Sequence, residues 1–270
     1  MIKLLAIDMD GTCLNSRSHI SAQTLTALHT LAKSGTLIVP TTGRALTCLP
    51  HQLTDQNSLF RYVISSNGAK VTDYHTQKTL YHSEIPKQTA LSLLNACQNE
   101  KLGITAHIRH EYLLQGHSLV FLGRLVYGKD ARKVRYVQNM EQTIQELSCD
   151  VEELQFYFFS KNSVPQLKMH LANYPSLRAA YTGQYAEIFS SETSKGCALT
   201  HLAQSLGIAK SEIACIGDGE NDLSMFEASG MKLAMGNAVE MLKKEADYIL
   251  PDCDHNGVAE GAALLERMTT

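Results

Sequence analysis

The sequence predicts an α/β protein built on a doubly wound parallel sheet and interrupted by an inserted α+β unit. Three observations carry that expectation. Short, predominantly apolar runs at residues 2–7, 36–42 and 213–217 suit strands buried on both faces. They alternate with stretches of helical spacing, which predicts parallel pairing through right-handed crossovers. Between residues 84 and 190 the alternation gives way to strand runs mixed with helices, the pattern of a separate α+β unit.

The elements follow in order. Residues 2–7 are the first strand, ending at Asp8-Met9-Asp10-Gly11, where glycine permits a sharp turn. Strand alternation would point Asp8 and Asp10 to one side if the strand ran that far. Leu25, Leu28 and Leu31 mark a helix over 20–34 that Gly35 stops. A strand at 36–42, a helix at 45–53 and a strand at 62–66, ended by Asn67-Gly68, complete the first βαβαβ run. The insertion opens with a long amphipathic helix over 86–102, then strands at 104–108 and 112–114 and a helix at 138–147. A strand at 154–159, a helix at 166–173 and a hairpin of strands 177–181 and 186–189 close it. The core pattern resumes with a helix at 195–206 ended by Gly207, then strand 213–217, helix 222–228, strand 231–235, helix 239–245 and strand 248–250. The expected domains are therefore 1–83 with 191–270 as the core, and 84–190 as the insertion.

Composition narrows the class. A chain of 270 residues with 44% hydrophobic and 19% charged residues is expected to bury a substantial core. Its net charge of -3 and lack of a basic patch argue against a nucleic-acid or anionic-membrane partner. No apolar run approaches the roughly 20 residues of a membrane span, and Asp8 and Asp10 break the first apolar segment too early for a signal peptide. The seven cysteines are odd in number, widely spaced and free of a C-x-x-C pair, so a reducing cytoplasm is expected rather than a disulfide framework or a zinc site. The histidines show no metal-ligand spacing.

Four segments at predicted strand ends carry candidate chemistry. Asp8 and Asp10 lie at the carboxyl end of a buried strand, where open α/β sheets bind ligands. Bare buried anions are costly, and a divalent cation such as Mg²⁺, which prefers carboxylate oxygen, removes that cost. Taken alone, the pair also reads as ordinary turn residues. Thr41-Thr42-Gly43-Arg44 offers a hydroxyl, backbone N–H groups and a helix start, a set that suits phosphate and equally a capped turn. Lys195 opens a helix, an end that favours anions, so it points to a bound anion or to a solvated surface position. Gly217-Asp218-Gly219-Glu220-Asn221-Asp222 crowds three carboxylates and an amide behind a buried strand, and such like charges need a cation or hydrogen bonds.

Together, Asp8-Met9-Asp10-Gly11-Thr12, Thr42-Gly43-Arg44, Lys195-Gly196 and the 217–222 segment resemble the four ordered motifs of the haloacid dehalogenase superfamily. The insertion resembles the large α/β cap of its Cof-type phosphatases, as do Ser66-Asn67-Gly68-Ala69 and Met235-Gly236-Asn237-Ala238. Cys13 departs from the aliphatic residue usual there and brings a thiol near the site. The resemblance implies a doubly wound, Rossmann-like core with an inserted cap. It implies a Mg²⁺-dependent phosphomonoester hydrolase acting on small phosphorylated metabolites, sugar phosphates among them, through an aspartyl-phosphate. Asp8 would be the nucleophile and Asp10 the proton donor and acceptor. The metal would be held by Asp8, the Asp10 carbonyl and Asp218, with Asp222 in support. Thr42, Gly43, Lys195, Asn221 and the Met9 N–H would bind the phosphoryl oxygens, with Arg44 and Asn67 at the margin. Specificity would come from the cap, although His107, Arg109, His110, Arg124 and Lys129 read individually as ordinary polar residues. A phosphosugar mutase and a non-hydrolytic phosphometabolite sensor are the alternative readings. A receiver-like signalling module is disfavoured by the cap, and a dehalogenase by the proton donor Asp10.

Overall fold

The computed structural model describes residues 1–55, 59–117, 119–121, 130 and 134–268. In chain order its strands are β1 (Leu4–Ile7), β2 (Leu37–Pro40), β3 (Tyr62–Ser65), β4 (Lys70–Asp73), β5 (Lys78–His82), β6 (Leu102–Ile108) and β7 (Glu111–Gln115). They continue as β8 (Val134–Val137), β9 (Glu153–Phe158), β10 (Leu177–Tyr181), β11 (Tyr185–Ser190), β12 (Ile213–Gly217), β13 (Met231–Ala234) and β14 (Tyr248–Ile249). The chain divides into two compact units: Met1–Gly43, Pro50–His82 and Ser194–Thr270 form the first, Arg44–Leu49 and Ser83–Thr193 the second.

The first unit is the α/β body. Its parallel sheet runs β14-β13-β12-β1-β2, and β1 and β12 are buried along their whole length, which is why they read as unbroken apolar runs. Parallel bridges Ile38↔Phe60 and Thr41↔Ile64 set β3 beside β2. A hairpin of β4 and β5, absent from the sequence reading, pairs antiparallel onto β3. The helix Ala22–Lys33, capped by Ser21, packs on a C-terminal helix, Gly257–Arg267; the helix Lys195–Leu206 packs on Leu223–Ala228. Apolar side chains such as Leu4, Ile7, Leu28, Ile216 and Leu265 are fully withdrawn from water and form the driving force for this layering.

The second unit carries a six-stranded sheet, β10-β11-β9-β6-β7-β8, antiparallel except for β7 and β8. Helices Lys87–Ala96, Met140–Glu146 and Ser163–Leu171 contribute Leu93, Ile144 and Leu167 to a core with Ala106, Leu154 and Phe156 of the sheet. A smaller apolar cluster joins Tyr112, Leu114 and Val134 to Ala45 and Cys48. The 45–53 helix expected from sequence is instead a 3₁₀ turn, Leu46–Cys48, and a short helix, His51–Thr54. Pro50 separates them by holding Leu49 extended at ψ 146°. The helix expected over 86–102 stops at Ala96, because Leu102 already belongs to β6. His107 is buried beneath the edge of the Tyr112 ring, whereas Arg109 and His110 form the β6–β7 turn. Arg124 and Lys129 lie outside the described residues. Among the described residues no helix is long and apolar enough to cross a membrane, and none of the cysteines is in a disulfide.

Candidate active site

The site is built entirely from the first unit. Asp8 prolongs β1 by one ladder bond, its N–H donating to Ile216 O at 3.0 Å. The chain then turns over Gly11, at φ +77°, with the Thr12 and Leu14 N–H groups both donating to Met9 O. β1 ends at Ile7, so strand alternation does not govern Asp10; Asp8 is buried and Asp10 exposed. A Cβ on Gly11 would lie 2.5 Å from Asp218 Oδ2, so the turn needs glycine for conformation and for space.

Lys195 is the first residue of the helix Lys195–Leu206, whose N-cap Ser194 accepts from the Cys197 N–H and whose C-terminus closes on left-handed Gly207. The helix dipole does not favour a cation here; the surrounding acids do. Lys195 is 1% exposed and donates from Nζ to Asp8 Oδ1 at 2.5 Å and Asp222 Oδ1 at 2.7 Å. Asp222 Oδ2 accepts from the N–H groups of Asp218 at 2.9 Å and Gly219 at 3.0 Å. Asp222 thus clamps the loop after β12 to the buried lysine. Thr12 Oγ1 donates to Asp218 Oδ1 at 2.8 Å, and Asn237 Nδ2 lies 3.2 Å from Asp218 Oδ2.

A second rim is made by the turn after β3. Ser66, Asn67 and Gly68 all hold positive φ, at 49°, 55° and 100°. Two non-glycine residues in that region store strain, a feature that concentrates at functional sites. Asn67 donates from its N–H to Thr42 O at 3.0 Å and accepts at Oδ1 from Asn221 Nδ2 at 3.1 Å. Gly43 faces the same amide, and a Cβ there would stand 3.1 Å from Asn67 Oδ1. Asn67 therefore links the Thr42-Gly43 turn to Asn221.

The electrostatics follow from burial. Desolvation holds the Asp8 carboxyl well above its ordinary value, against the pull of Lys195, and the Asp222 and Asp218 charges add to the rise. Asp218 is also raised, again chiefly by desolvation. Burial opposes the charge on Lys195, but Asp222 and Asp8 outweigh it and the lysine stays protonated beyond its usual range. Burial and the Asp8 charge push the Cys13 thiol up to about 12, so it is a neutral, unreactive neighbour. One carboxylate oxygen from each of Asp8, Asp218 and Asp222 lies within 4.8 Å of the other two. Three acids whose oxygens lie this close, two of them with carboxyls raised chiefly by burial, offer hard oxygen donors that fit a divalent cation of the Mg²⁺ kind.

Of the residues singled out in the sequence, the structure brings Asp8, Lys195, Asp218 and Asp222 into direct or near contact and joins Thr42 and Gly43 to Asn221 through Asn67. The Met9 side chain is buried while its carbonyl closes the turn. Arg44 goes elsewhere: it belongs to the second unit, where it donates to Asp130 Oδ2 and Cys48 O, each at 3.2 Å. Thr12 and Asn237, both inside quoted motifs, had no role assigned from sequence; the long-range partners that give them one are visible only in three dimensions.

The chain belongs to the haloacid dehalogenase-like hydrolase family, whose model matches residues 5–261. Within that family it is a phosphatase. It is 34% identical to phosphatase YwpJ of Bacillus subtilis over 287 residues, covering 96% of this chain and 98% of that one. It is 29% identical to the 5-amino-6-(5-phospho-D-ribitylamino)uracil phosphatase YwtE of the same organism, covering 96% of each. The solved structure of a haloacid dehalogenase-like hydrolase from B. subtilis superposes with a TM-score of 0.83 at 28% identity, covering 98% of this chain and 100% of that one.

Proposed function

We propose that this phosphatase hydrolyses small phosphomonoesters of hydroxylated carbon chains, sugar and sugar-alcohol phosphates foremost, through an aspartyl-phosphate on Asp8 and with Mg²⁺. The observation that carries the reading is the Asp8–Lys195–Asp222 cluster beside Asp218 at the end of β1. The ribityl phosphate named as the substrate of YwtE supports the substrate class.

In the first displacement Asp8 forms a bond to phosphorus and the ester P–O bond breaks, its oxygen taking a proton from Asp10. In the second, water gives a proton to Asp10 and its oxygen bonds to phosphorus. The P–O bond to Asp8 breaks, inorganic phosphate leaves, and both acids return to their starting states. Lys195 orients Asp8 and offsets negative charge on the phosphoryl oxygens, which Thr42, the Gly43 and Met9 N–H groups and Asn221 receive. Asp8, Asp218 and the Asp10 carbonyl would hold the metal, with Asp222 bracing the loop. Bound Mg²⁺ supplies charge neutralisation between nucleophile and phosphate and on the transferring group.

The test is inorganic phosphate release from a panel of phosphorylated metabolites and a chromogenic phosphate ester, with Mg²⁺ and with chelator. Activity is expected only with metal, and Asp8→Asn should abolish it while circular dichroism stays unchanged. Turnover by Asp8→Asn at the wild-type rate would remove the nucleophile from the scheme.

A further inference from the structure

Asn237 sits on the turn after β13, exposed to solvent, yet its amide is tied to three separate loops. Nδ2 donates to Gly11 O at 2.8 Å and to Asp218 Oδ2 at 3.2 Å, while Oδ1 accepts from the Cys253 N–H at 3.0 Å. The partners settle which way the amide points. A main-chain N–H can only donate, so Oδ1 must face Cys253; a carbonyl and a carboxylate only accept, so both N–H groups must face Gly11 and Asp218. No other orientation satisfies all three. The main chain reinforces the grip two residues on, where the Val239 N–H donates to Asp218 O at 2.9 Å. On the far side of the carboxylate, Thr12 Oγ1 holds Oδ1.

We infer that Asn237 is a positioning residue for the metal: it fixes the rotation of the Asp218 carboxylate and ties it to the Gly11 turn, so that Asp218 meets the cation in a set orientation. The inference rests on the reading of Asp218 as a metal ligand. Partners that orient metal ligands typically change metal affinity about 10–100-fold when lost. Because the amide is exposed, water replaces its bonds in a variant, and the loss falls on Asp218 orientation rather than on folding.

The experiment measures Mg²⁺ binding by calorimetry on the full chain without substrate, alongside phosphate release as a function of Mg²⁺ and of ester. Asn237→Ala is expected to weaken Mg²⁺ binding about tenfold or more, with the ester KM at saturating metal unchanged and the metal-free melting temperature close to wild type. Cys253→Pro removes the N–H that orients the amide and leaves Asn237 in place. Proline is tolerated there because Cys253 opens a 3₁₀ turn behind an extended Asp252 at ψ 174°. It should weaken Mg²⁺ binding in the same direction by a smaller factor. Mg²⁺ affinity within twofold of wild type in Asn237→Ala, or a parallel rise in ester KM, overturns the inference while leaving the proposed function standing. Failure of the wild-type chain to bind Mg²⁺ overturns both.

Discussion

Replacing Lys195 by methionine tests the electrostatic core of the site through stability rather than activity. The methionine fills much of the lysine's volume but leaves Asp8 and Asp222 without the cation that both contact, at 2.5 and 2.7 Å. Breaking a buried pair by removing one partner typically costs about 3–5 kcal/mol. A second route gives a similar figure. One more carboxylate must fold protonated than in the wild type, and at pH 7 protonating a group whose ordinary value is 3.8 costs about 4 kcal/mol. The sign is fixed by linkage. A carboxyl raised in the folded state binds more protons folded than unfolded, so its contribution to stability falls as pH rises above 3.8, by about 1.4 kcal/mol per unit. The deficit of Lys195→Met relative to wild type should thus shrink from about 4 kcal/mol at pH 7 to about 2 kcal/mol at pH 5. Urea denaturation followed by circular dichroism, in chelator at both pH values, measures it. The double variant Lys195→Met, Asp222→Asn should recover much of the loss. A deficit below about 1 kcal/mol at pH 7, or one of equal size at both pH values, would refute the placement of Lys195 as a buried counter-ion.

Three further outcomes follow from the geometry. Asp10→Asn should lower the rate of phosphate release on the order of 10²–10⁴-fold without changing Mg²⁺ affinity, since only the Asp10 carbonyl is assigned to the metal; steady-state kinetics across a Mg²⁺ series separates the two. Gly196→Ala should destabilise the first unit by about 1–3 kcal/mol, because a Cβ there would lie 2.0 Å from the main-chain oxygen of Ser224, and a melting temperature equal to wild type would count against that packing. His107, whose value burial lowers to about 3 despite Glu153 Oε1 at 3.9 Å, is neutral when folded. The unfolded chain takes up its proton below about 6.5, so the stability that the neutral ring contributes is complete above that pH and is lost as pH falls through it, about 2 kcal/mol by pH 5. His107→Phe keeps a ring against Tyr112 and should flatten this part of the acid limb in denaturation curves; an unchanged acid limb would assign it elsewhere.

The parts of the fold legible in the sequence are those whose local signals agree with their burial. The helix Lys195–Leu206 and β12 fall on the boundaries that Ser194, Gly207 and the apolar run 213–217 suggest. The missed elements have local signals that point away from their structure. β5, Lys-Thr-Leu-Tyr-His, has alternate residues exposed, Leu80 among them, so its two apolar residues are adjacent and give no alternating pattern. The helix Gly257–Arg267 begins with a glycine and carries another at Gly261, residues that argue against a helix by propensity. Packing explains both: a Cβ at Gly257 would lie 2.1 Å from Pro251 O, and one at Gly261 would press on Leu250 and Ile216. At the site, the acids and the lysine were legible because charge crowded behind an apolar strand is unusual wherever it occurs. Thr12 and Asn237 were not, because a threonine or asparagine in a turn has an ordinary local explanation, and what distinguishes these two is a partner about 206 or 226 residues away in the chain.

What lets so many like charges stand together is the register of the sheet. Ile7 pairs with Ile216 and with Pro40, and Gly217 with Ala234, so four loops leave the sheet at one level. The ladder runs on into the loops after β1, β2 and β13, where Asp8 donates to Ile216 O, Thr41 to Ile7 O, Thr42 to Ile64 O and Met235 to Gly217 O; the loop after β12 is held by Val239 donating to Asp218 O. The groups that carry or orient charge are therefore attached to main chain that is already paired, and they cannot move apart to relieve repulsion without breaking those bonds. That rigidity holds Asp8 and Asp218, whose carboxyls burial raises, at close spacing, as the proposed cation site requires. A one-residue slip of β1 would turn Asp8 to the opposite face of the sheet and separate it from Lys195, so the register that forms the core and the one that assembles the acids are the same.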